Sequence, residues 1–123
     1  MPHAANWYAG WALILMGFVG GTGLGLFFHR DDFLGGYASW PRRLLRLGHI
    51  ACAALGILNV AYGLSPIPDA HGWRPQTAAM GLIVGGITMP LVCFLSAWWK
   101  PFNRLFFIPV TALCAAAALI LSM

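Results

Sequence analysis

The sequence predicts an all-α membrane protein, four transmembrane helices in an up-down bundle with both termini on the outer side. Three observations predict it. Hydrophobic residues fill 60% of the 123 positions and charged residues only 8%, where soluble domains carry roughly a quarter charged. Four apolar runs divide the chain, each close to the about 20 residues that cross a bilayer core. None of them holds an acidic residue, or a Lys or Arg at its centre. No segment alternates apolar and polar residues as a membrane barrel strand does. The length suits one domain, so residues 1–123 are read as a single four-helix unit.

The spans fall at about 7–28, 44–64, 77–99 and 104–122. The first is preceded by no Lys or Arg and is too long for a signal-peptide core, so it is read as a retained span. It ends in His29-Arg30-Asp31-Asp32 and a Gly35-Gly36 pair. Ser39-Trp40-Pro41 then reads as a helix start, with Ser39 as cap and proline in the first turn, where a missing N–H costs nothing. Ser65-Pro66-Ile67-Pro68-Asp69 closes the second helix. Lys100-Pro101-Phe102-Asn103 makes a short turn, with Asn103 as the expected cap of the fourth. Pro90 and Pro109 lie inside spans and are expected to kink or loosen a turn.

Orientation comes from the basic residues. Arg30, Arg42, Arg43, Arg46, Lys100 and Arg104 flank one side and Arg74 alone the other. By the positive-inside rule, loops 29–43 and 100–103 face the cytoplasm of a plasma (inner) membrane. Trp7, Trp11 and Trp73 mark the outer interface, and Trp40, Trp98 and Trp99 the inner one, where indoles settle with one edge apolar and the N–H near water. The net charge of +4 is thereby spent on topology. No basic tract with interleaved aromatics suggests nucleic acid.

Helices in lipid gain little from burying apolar surface, so small residues and polar side chains hold them together. Gly17, Gly21 and Gly25 lie four apart on the first span, and Gly81 and Gly85 on the third. Cys52, Ala53 and Gly56 supply small residues on the second span, and Ala112, Ala115 and Ala116 on the fourth. These five glycines are the expected packing residues, and Asn59 and Thr88 the expected interhelical hydrogen-bond donors. The glycine run is no phosphate loop, since no strand precedes it and no suitable lysine follows.

No catalytic constellation is legible. With no carboxylate inside a span, proton-coupled transport lacks its usual ionisable group. Cys52, Cys93 and Cys114 are odd in number, lie in apolar runs and form no CxxC, so neither a disulfide framework nor a zinc finger is indicated. His49 is the informative residue, about two turns and roughly 12 Å into the second helix. A ring at that depth is expected either to find a carbonyl or hydroxyl on a neighbour or to serve a ligand. With His29 it offers axial ligands for haem b. With Cys52, Met89 and Cys93 it offers a soft set suited to copper. Asp31 and Asp32 are expected to pair with Arg30, Arg42 or Arg43 at the head groups, a weak exposed contact. By exclusion the leading expectation is a small integral subunit or accessory protein, packed against other membrane subunits or copies of itself, in an assembly of the electron-transfer kind. A haem or copper redox protein is the alternative, and a small oligomeric channel or transporter the third.

Overall fold

The computed structural model describes residues 3–123. It is all-helical: α1 (Ala4–Phe28), α2 (Trp40–Leu64), α3 (Trp73–Trp98) and α4 (Phe107–Leu121), the last led in by a 3-10 stretch at Lys100–Phe106. All four are long and apolar enough to cross a membrane, counting α4 with its lead-in. The chain is a four-span integral membrane protein.

Each of the first three helices starts three or four residues before its apolar run, because helical hydrogen bonding continues through the interface after hydropathy has fallen. At the start of α2, the Ser39 hydroxyl accepts from the Arg42 N–H at 3.4 Å, with Pro41 in the first turn. Asn103 is not a cap. It lies within the 3-10 stretch, and no side chain caps α4. That stretch also accommodates Pro109, which falls in the first α-helical turn, where its absent N–H breaks no bond. Pro90 lies inside α3, which stays helical through it.

Successive helices run antiparallel and pack in chain order, α1 on α2, α2 on α3 and α3 on α4, with a lighter α1–α3 contact. The result is the up-down four-helix bundle expected from the sequence, laid out as a row of sequential neighbours in which α1 also touches α3 and α4 packs on α3. Its tightest seam is α1–α2. A Cβ built on Gly10 would sit 2.5 Å from the Gly56 carbonyl oxygen, and one on Gly56 2.8 Å from that of Gly10. These backbones touch, as small residues permit in lipid. At the α3–α4 seam Gly81 faces Ala112 and Ala116, and Gly85 faces Leu113.

Polar side chains tie the row together at two levels. Near the end that holds the N-terminus, Asn6 Nδ2 donates to Asn59 Oδ1 and to the Ala79 carbonyl, both at 2.9 Å. Asn59 Nδ2 donates to Leu82 O at 3.0 Å and to Leu55 O in its own helix. Both amides are fully buried, so three helices share one network. At the opposite end the Arg42 guanidinium donates to the carbonyls of Phe28, Arg30 and Asp31 and lies over the Phe28 ring. A cation there satisfies carbonyls left open by the end of α1 and complements its dipole. Arg42 therefore binds the Asp31 backbone, not the carboxylates of Asp31 and Asp32 that the sequence suggested as its partners. Thr88 is likewise no interhelical donor, since its hydroxyl bonds Val84 O one turn back in α3.

Candidate functional site

The candidate site is a groove on the α1–α2 face, of about 310 Å³, lined by Gly17, Gly20, Gly23 and Phe27 of α1, His49 and Cys52 of α2, and Phe94 of α3. Its shape follows from glycine placement. Gly17 packs on Cys52 and Ala53, while Gly20 and Gly23 would place a Cβ in open space. The α1 wall is therefore bare backbone at Gly20 and Gly23, flanked by the side chains of Met16, Leu24 and Phe27, which also line the groove.

His49 is wedged against α1 at Gly21, where an added Cβ would sit 2.5 Å from its Cε1. The Nδ1 atom is buried and has no hydrogen-bond partner. The carbonyl or hydroxyl partner expected from the sequence is thus not supplied to this atom among the described residues. Leaving a buried polar group unpaired costs about 1–3 kcal/mol on protein mutational scales. Such a ring within a span is a functional candidate on physical grounds.

The structure brings some of the sequence-predicted residues together and separates others. His49 and Cys52, one turn apart, share the groove. Cys93 is fully buried beside Cys52 in the α2–α3 contact. Met89 lines a different groove, with Leu47, Ile50 and Phe106. Among the described residues no three His, Cys, Asp or Glu side chains gather within reach of one metal ion. His29 is the exposed C-cap of α1 and does not line the His49 groove. Gly25 is exposed with nothing within 4 Å of a built Cβ, so the expected three-glycine packing face stops at Gly21. Each four-residue step overshoots a 3.6-residue turn by about 40°, which carries Gly25 off the face that meets α2.

At the other end, His3 packs against the Tyr62 ring, whose hydroxyl donates to Pro75 O. Burial, with His71 nearby, pushes the His3 imidazole below its ordinary range. Asn6 is the residue that sequence reasoning missed, because it precedes the apolar run and carries no periodic signal. The only clue available was an amide standing one position before a membrane-interface tryptophan.

Geometry defines the class, a four-helix integral membrane protein with one apolar groove around an intramembrane histidine. Comparison of the chain with protein-family models, with curated proteins and with solved structures finds no match.

Proposed function

We propose that the chain is a small, non-catalytic integral subunit of a larger assembly in the plasma membrane. The observation that carries this reading is the state of α4. Only Pro109 and Ala116 of that helix are buried, and its packing partner among the helices is α3. The side turned away from Ala116 carries Thr111, Cys114, Ala115 and Ala118, all exposed. Counted at 100° per residue, these four form one stripe, with small residues four apart in two overlapping pairs. Lipid contact favours large aliphatic side chains, and small residues are enriched where a helix meets another helix. The loops on both sides are short, which suits a role within the bilayer.

The test is a double substitution, Ala115→Leu with Ala118→Leu. Neither position is buried within the chain, so the variant is expected to fold and insert normally. Mass measurement or native gels in mild detergent should show the parent protein leaving its own membrane with co-purifying subunits, or as an oligomer, and the variant as a single chain. A parent that runs as a lone chain sinks the reading, and so does a variant that keeps every partner.

A further inference from the structure

Beyond a packing role, we infer that a second groove, over α3 between α2 and the lead-in to α4, binds one anionic phospholipid, with its phosphate on Arg43 and Lys100 and an acyl chain laid along α2. This inference stands apart from the subunit reading, because the groove and the α4 stripe are different surfaces. The groove holds about 430 Å³ and is lined by five residues of α2 from Leu47 to Leu55, by Met89 of α3 and by Phe106 of the α4 lead-in. None of these side chains is polar. Leu47, Ile50 and Ala54 are exposed, so the groove opens to lipid. From Leu47 to Ala54 it follows α2 for about 10 Å, roughly two thirds of one leaflet of a bilayer whose core is about 30 Å thick. A long apolar trough of that kind suits an acyl chain lying along the helix.

The charged half of the site lies at the Arg42 end of the bundle. Counted at 100° per residue, Trp40 and Arg43 fall within about 50° of the mean direction of the five α2 residues. Arg43, which is exposed, therefore stands one turn before Leu47 at the mouth of the groove. In the 3-10 stretch Lys100, Asn103 and Phe106 are three apart, a spacing at which side chains eclipse. Phe106 enters the groove, and Lys100 on the same edge reaches α2, its Nζ 5.4 Å from the centroid of the Trp40 ring. That ring is itself fixed by its indole N–H, which donates to Ser96 O. Two stripes thus converge, each with a cation outside and an apolar residue within. The acidic side chains of the sequence are Asp31, Asp32 and Asp69. The first two belong to the α1–α2 loop and the third to the opposite end, so no carboxylate stands on the elements around Arg43 and Lys100. Arg42 and Arg46, by contrast, are turned onto backbone carbonyls of Phe28 and Tyr37. A phosphodiester answers both free cations, arginine through its planar fork and lysine as a point charge. Basic pockets between membrane helices hold anionic head groups in this way. A zwitterionic lipid brings its own cation to the same place and is disfavoured.

The experiment titrates the detergent-purified chain with an equimolar mixture of dioleoylphosphatidylglycerol and dioleoylphosphatidylcholine, and counts bound lipid by native mass spectrometry. The parent is expected to retain one phosphatidylglycerol in preference to phosphatidylcholine. Arg43→Gln and Lys100→Gln should each weaken that retention about fivefold, the worth of one cation near an anionic surface. Ala54→Trp fills the groove from an exposed position and should lose the lipid, with circular dichroism to show that the helices persist. Arg30→Gln removes an exposed cation at the same end but on the α1 side, and should bind like the parent. Equal retention of the two lipids overturns the proposal. So does a loss in Arg30→Gln as large as in Arg43→Gln, which would mean diffuse charge attraction without a site. Displacement of the lipid by millimolar inorganic phosphate, or full retention by a folded Ala54→Trp, overturns it in favour of a head-group site that takes no chain.

Discussion

An amide buried in hydrocarbon has no water to fall back on, and Asn59 meets that condition by bonding across two helix contacts at once. Its oxygen accepts from Asn6 and its nitrogen donates to Leu82 O. Interhelical hydrogen bonds in membranes are worth about 0.6–2 kcal/mol each. Asn59→Leu, similar in size, removes both and also leaves the Asn6 amide short of an acceptor. The expected loss is about 2 kcal/mol, read as a shift in thermal or detergent-induced unfolding, with a smaller loss for Asn6→Ala. A variant as stable as the parent would mean that apolar packing at Gly86 fully replaces the network. At this scale the sequence was half legible. Asn59 stood out as a lone amide in an apolar run, and His49 as a lone imidazole. Their partners were not legible, because a contact between residues 53 positions apart leaves no mark on local pattern. Arg42 read as a head-group anchor; its turn inward onto the carbonyls at the end of α1 depends on where the intervening loop places that end.

Hydropathy located all four helices and lost their ends, since it reports where lipid begins and not where helical hydrogen bonding stops. Glycine spacing was a weaker guide, because it cannot say which stripe meets a neighbour. The closest backbone approach is at Gly10 and Gly56, of which only Gly56 carried a sequence expectation. Gly17, from the predicted set, sits at ordinary contact distance, 3.4 Å from the Cys52 Cβ. This ordering is testable with single methyl groups. Gly10→Ala should be strongly destabilising, because its Cβ meets Gly56 O and the Val60 N at 2.5 and 2.7 Å, and backbone cannot move without parting the helices. Gly17→Ala should be near neutral. Thermal melts of the two variants that coincide, or that reverse the order, would place the α1–α2 seam elsewhere.

For the molecule as a whole, the number of spans and their alternation were legible, but the row arrangement was not, because apolar composition specifies burial in lipid without specifying neighbours. The row has two distinct ends, and on them rests the prediction about its orientation. At one end Arg74 of α3 donates to Ser122 O beyond α4, close in sequence to the carboxy terminus, and the start of α1 lies beside Gly63 of α2. At the other, Trp40 donates to Ser96 O, Lys100 lies over the Trp40 ring, and Arg42 and Arg46 hold the loop from α1 through backbone carbonyls. Six of the seven basic residues cluster at that second end, and such bias near span ends sets orientation during insertion. The second end is therefore expected in the cytoplasm and His71 outside. In intact cells a membrane-impermeant maleimide should label a His71→Cys variant, while Asn103→Cys should react only after permeabilisation. The native thiols at Cys52 and Cys93 are buried, and Cys114 lies within α4, so they contribute little background. A reporter fused at Met123 should be active only in its extracytoplasmic form. The inverted labelling pattern would overturn this orientation outright, because Arg30, Arg43, Lys100 and Arg104 outnumber Arg74 even with Arg42 and Arg46 set aside for their contacts with the α1 end and Tyr37.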